Sequence, residues 1–93
     1  MKGLKMAMDT ISFPITFSQK TIIREALNNY LKVRLGTSDF AILQNEEELR
    51  ILVSAYVEKR YSNHDEYFKN YKIEQKMVDM DEIRNLLHTL FSL

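Results

Sequence analysis

The chain has no cysteine and no tryptophan, and only one proline and two glycines in 93 residues. Without cysteine there are no disulfides, no thiolate metal sites and no sulfur nucleophile. A multi-stranded β-protein needs turn residues every several positions. So few Gly and Pro therefore favour long helices with short connections. No apolar run is longer than a handful of residues, which excludes a membrane-spanning helix. The opening MKGLKMAMD has neither the apolar centre nor the small-residue cleavage site of a secretion signal, so a cytoplasmic protein is the expectation. A glycine-rich phosphate loop, a G-x-S-x-G elbow and an H-E-x-x-H pair are all missing.

What is present is an ordinary globular composition, 45% hydrophobic and 28% charged, in a length that holds one core. The expected organisation is a single domain over 1–93, with an N-terminal arm over 1–17 and a helical bundle over 18–93. Formal net charge is zero, but the charge is divided unevenly. Residues 1–36 carry Lys2, Lys5, Lys20, Arg24, Lys32 and Arg34 against Asp9 and Glu25, and the remainder of the chain is equally acidic. Such a split reads either as two partner surfaces or as chance in a short chain.

Along the chain, DTISFPITF alternates apolar and polar residues, the period of a strand, with Ile11, Phe13, Ile15 and Phe17 on one face. From Ser18 the spacing changes to three and four. Ser18 is placed to cap a helix over 19–35 whose stripe is Ile22, Ile23, Ala26, Leu27, Tyr30 and Leu31. Lys32 and Arg34 suit its negative end and Gly36 its stop. FAIL (40–43) reads as a short strand or one turn of helix. Asn45 then caps a helix with Glu46, Glu47 and Glu48 in its first turn and an inward stripe of Leu49, Leu52, Val53, Tyr56 and Val57. A third helix over about 65–78 is predicted to face inward with Tyr67, Phe68, Tyr71 and Val78. Asp79 or Asp81 is placed to cap a fourth, with Ile83, Leu86, Leu87, Leu90 and Phe91 inward. The predicted fold is thus mainly α: a compact four-helix domain with an N-terminal extended arm or small two-stranded β-ribbon. The arm buries Phe13 and Phe17 on its own bundle, pairs with FAIL, or adds to a partner's sheet.

For chemistry the sequence offers little. His64 and His88 are the only imidazoles. With Asp65 or Glu66 they form a possible zinc set, but each is explained as an ordinary helix residue. DMDE at 79–82 lacks the turn glycine and the distal bidentate Glu of a calcium loop. VEKRYSNHDEYFKNYKIEQK (57–76) interleaves aromatics with cations as single-strand binders do. On a helix, however, Tyr67, Phe68 and Tyr71 share one face and Lys69, Lys72 and Lys76 another, which is core plus solvated stripe. No catalytic residue, metal or cofactor is expected.

The order of short strand, helix ending in RLGTS and further helix resembles the ribbon-helix-helix repressors and antitoxins, over Ile15 to Ser38 at most. In that family strands from two chains enter the major groove together. The resemblance implies a homodimer that reads DNA with Thr10, Ser12 and Thr16, with Lys20 and Arg24 on phosphates. Pro14 inside the ribbon, the lack of Arg, Lys, Asn or Gln at the outward positions and the late second helix depart from the pattern. The first expectation is therefore non-catalytic: a small inhibitor or regulator, of the kind encoded by phages and mobile elements, that binds and blocks a protein partner. Its candidate faces are the acids Glu46, Glu47, Glu48, Asp65 and Glu66, and the tyrosines Tyr61 and Tyr67. The DNA-binding dimer is the alternative, and a monomer or homodimer is compatible with the first reading.

Overall fold

The computed structural model describes residues 15–91. They form α1 (Phe17–Leu35), a 3-10 turn (Phe40–Gln44), α2 (Glu46–Arg60) and α3 (Glu66–Phe91), with no strand among the described residues. Residues 1–14 of the predicted arm, including Thr10, Ser12 and Phe13, lie outside that range. The arm's last residue, Phe17, is helical, and Thr16 before it keeps an extended backbone at φ −75° and ψ 164°. Thr16, rather than Ser18, caps α1 through a reciprocal box: the Gln19 N–H donates to the Thr16 hydroxyl at 3.1 Å, and the Thr16 N–H donates to Gln19 Oε1 at 2.8 Å. The box needs a hydroxyl and a Gln three residues on, a pair that TFSQ supplies and the strand-like alternation hid. Phe17 therefore becomes the first helical residue, and it is 84% exposed rather than folded over the core.

α1 closes as its residues dictate. Gly36 adopts φ 80°, the left-handed region where a Cβ is disfavoured, and its N–H donates to the Lys32 carbonyl at 3.0 Å. FAIL resolves as the 3-10 turn, begun by an Asp39 carboxylate that accepts the Ala41 N–H at 3.0 Å. Ile42 and Leu43 from this turn plug the core. Asn45 caps α2 as predicted, accepting the Glu48 N–H at 3.1 Å. Leu49, Val53 and Val57 are its buried positions, with Leu52 and Tyr56 packed beside them.

The predicted third and fourth helices are one. α3 runs 26 residues, about 39 Å at 1.5 Å per residue. Asp79 and Asp81 cap nothing. Asp79 pairs with Lys76 at 3.4 Å and Asp81 with Arg84 at 2.7 Å, both one turn away on the same helix. Neither Gly nor Pro interrupts 66–91. The inward positions Lys69, Ile73, Lys76, Met80, Ile83, Leu87 and Leu90 keep one alternation of fours and threes from end to end, so nothing forces a break.

α2 and α3 form an antiparallel hairpin held by ion pairs at two levels, Arg50–Glu74 at 2.6 Å and Glu58–Lys69 at 3.0 Å. α3 then continues past the start of α2, where Arg84 donates to the Leu43 carbonyl at 3.4 Å. The core is Leu31 and Leu35 of α1, Ile42 and Leu43, the α2 stripe, and Met80, Ile83 and Leu87 of α3. The amino-terminal half of α1 contributes little to it, since Ile22 and Ala26 of the predicted stripe are exposed. That half instead reaches the end of α3, where the Arg24 guanidinium lies 4.7 Å from the Phe91 ring centroid. No helix among the described residues is long and apolar enough to cross a membrane.

Candidate functional site

Because α3 is continuous, its inward face is set by Lys69, Ile73, Met80, Ile83 and Leu87. Residues near 180° from these must point outward, whatever their hydropathy. Tyr67, Tyr71 and Val78 fall there. They are 85%, 56% and 58% exposed, which corrects the expectation that they line the core. Residues at i, i+4 and i+11 come within about 40° of one another on a helix, so the three make one stripe. Glu74 lies within it, and Glu66 and Glu82 are exposed at its margins.

Of the predicted aromatic face, only Phe68 packs inward. It contacts Tyr61 edge-on at 5.5 Å and stacks on His64 at 4.3 Å between centroids. This small cluster closes the hairpin end. Tyr61 is half-buried and ends α2, its N–H donating to the Val57 carbonyl at 2.8 Å. Asp65 caps α3, its carboxylate accepting the Phe68 N–H at 2.8 Å. Lys69 takes the inward place that a tyrosine was predicted to fill. It is 8% exposed, and its ammonium reaches Glu58 at 3.0 Å and Glu66 at 3.8 Å. The hydrogen bond it donates to Glu58 raises its pKa above the ordinary lysine value against the pull of desolvation, so it stays charged. A lysine can sit there because its stem packs while its head finds carboxylates at the rim.

The predicted partner residues thus separate into two groups. Tyr61, Asp65, Glu66 and Tyr67 gather at the hairpin end and continue into the Tyr71–Val78 stripe. Glu46, Glu47 and Glu48 lie in the first turn of α2, about 20 Å away along that helix. All three are exposed, and Glu48 is tied to the Asn45 cap. In the alternative set, Thr16 spends its hydroxyl on the α1 cap. Lys20 and Arg24 border a crevice with Phe17, Leu90 and Phe91 at the far end of α3. His64 and His88 are 24 positions apart on the hairpin turn and on α3, and no three His, Cys, Asp or Glu side chains among the described residues converge as a metal site.

Tyr67, Tyr71 and Val78 are outward where the sequence predicts them inward, and Leu86 of the predicted fourth stripe is exposed as well. The signal that finds the first three is the single 4-3 register of α3, which leaves them on the outer side. No protein-family model matches the chain, and neither a curated protein nor a solved structure is detectably similar to it.

Proposed function

We propose that this protein is a non-catalytic regulator that docks on a protein partner through the outer stripe of α3 and acts by covering that partner's surface. The observation that supports this reading is the exposure of Tyr67, Tyr71 and Val78 in one line on the helix that also anchors the core. Tyrosines are enriched where proteins meet, since the ring supplies contact area and the hydroxyl stays satisfied at a wet rim. The helix beneath is fixed by the core and by the Arg50–Glu74 and Lys69–Glu58 pairs. Docking on it therefore costs little ordering. Arg50 already engages Glu74 and Lys69 lies by Glu66, so the partner surface that fits the stripe is mainly apolar, with a cation at most opposite Glu82.

The test is quantitative binding of a partner captured by the full chain from its source cells. Tyr67→Ala with Tyr71→Ala should weaken that binding at least tenfold, the loss of roughly 2 kcal/mol typical of a central anchor. Charge reversal at Glu46, Glu47 and Glu48, on the other group of candidates, should change it less. Unchanged affinity in both sets of variants overturns the reading.

A further inference from the structure

Among the described residues, ion pairs account for some of the cations and leave others without a carboxylate. Every ion pair among the described residues lies within the α2–α3 hairpin. Arg34 near the end of α1, Lys59 and Arg60 at the end of α2, and Lys72 on α3 have no carboxylate within ion-pair distance among the described residues. Glu58, the acid nearest in sequence to Lys59 and Arg60, is already engaged by Lys69 at 3.0 Å.

These cations stand among aromatic rings. Arg34 lies 3.8 Å from the Tyr30 ring centroid, its Nε buried and without a hydrogen-bond partner. Arg60 and Lys72 approach the Tyr61 ring at 5.5 and 5.3 Å. Between the ends of α1 and α2 runs a groove of about 360 Å³ lined by Val33, Tyr56, Lys59 and Arg60. Its apolar floor is flanked by two unneutralised charges. A helix end accounts for cations that offset its dipole. It does not account for an exposed Val33 opposite a half-buried tyrosine with both cations at the same groove.

We propose that this groove binds single-stranded nucleic acid, with a base against Val33 and Tyr56 and the flanking phosphates on Lys59 and Arg60. The surface is separate from the tyrosine stripe of α3, and the inference goes beyond the protein-docking reading. Its chemistry is the combination that sequence-tolerant single-strand binding needs, a ring face for stacking and charge that follows the backbone. An acidic peptide would use the cations but gains nothing specific from the ring.

The experiment is fluorescence anisotropy of the full chain with labelled oligothymidylate and oligouridylate of about a dozen nucleotides, at about 50 and about 200 mM salt. Both strands should bind, more weakly at the higher salt. Lys59→Gln with Arg60→Gln should weaken binding at least tenfold and reduce the salt slope by about 1.4, from two lost phosphate contacts. Tyr56→Leu should weaken it about fivefold with the slope unchanged, while Tyr56→Phe keeps the ring and binds as the parent does. Thermal melts of each variant separate loss of binding from loss of fold. Tyr67→Ala with Tyr71→Ala should bind the strand normally. No binding at the lower salt overturns the proposal, as does full binding by the Lys59/Arg60 variant. Equal displacement by anionic phospholipid vesicles, with Tyr56→Leu binding like the parent, also overturns it in favour of an unspecific polyanion or membrane surface.

Discussion

Asp81→Pro distinguishes one long helix from two short ones. In a continuous α3 the residue-81 N–H bonds the Met77 carbonyl, and position 81 lies fifteen residues into the helix. Proline there removes that bond and drives its ring against the same carbonyl, at a cost of about 3 kcal/mol or more. Losing the Arg84–Asp81 pair, 2.7 Å long but exposed on both sides, adds at most about 0.5 kcal/mol. Against a total stability of roughly 5–10 kcal/mol, the sum is a large fraction. At about 4–8 °C per kcal/mol for a domain of this size, the melting temperature should fall by about 12–25 °C. Asp81→Ala, which removes only the ion pair, should shift it by no more than a few degrees. The assay is thermal and urea unfolding followed by far-UV circular dichroism on both variants. If a fourth helix began after Asp79, proline at 81 would stand in its first turn, where it is tolerated. An Asp81→Pro melting temperature within a few degrees of Asp81→Ala would refute the continuous helix. The outward assignment of Tyr71 and Val78 would fall with it.

Thr16→Ala should cost about 1 kcal/mol by opening the α1 capping box, whereas Ser18→Ala should be near neutral; urea midpoints of the two variants decide which residue caps. Leu31→Ala, at a fully buried position facing the α2 stripe, should cost about 2–5 kcal/mol in the same assay, and a loss below 1 kcal/mol would place α1 outside the core. The Arg50 hydrogen bond, then its charge, hold Glu74 below the ordinary glutamate value of 4.5. The stabilisation it brings is therefore present above that value and is lost as pH falls through the lower, folded-state pKa. Melting temperature should decline as pH drops below about 4.5, and Glu74→Gln should show a shallower decline; identical pH profiles would show that the pair contributes nothing.

Much of the fold could be read from residue order because the relevant signals were local. Asn45 with three following acids, and Gly36 after Lys32 and Arg34, each satisfy backbone groups within one turn, so neighbours alone decide them. The misreadings came where two local signals competed. At Phe17 the strand-like alternation competes with a capping box, and Thr16 and Gln19, by together satisfying two N–H groups, start the helix at Phe17 rather than at Gln19, where a Ser18 cap would begin it. DMDE looked like a helix start because acids favour N-termini. Inside an uninterrupted helix the same acids serve equally well as partners for Lys76 and Arg84. A break at Asp79 lets the two halves of α3 take independent faces, and that places the tyrosines inward. Hydropathy favoured that placement. It was overruled because Lys69 has carboxylates from two helices around it, whereas Tyr67 and Tyr71 lie on the side that α2 does not cover. Lys20 and Arg24 were legible as a basic stretch of α1, but their position beside Phe91 depends on how far α3 extends, which no local pattern records.

The most direct test of the docking stripe is photo-crosslinking in the source cells. A photoreactive residue replaces Tyr71 in one variant and Asn29, exposed on α1, in another. The account predicts one dominant adduct of defined mass from position 71, absent from position 29 and diminished when Tyr67→Ala is added. No adduct at 71, or the same adducts at both positions, would contradict it.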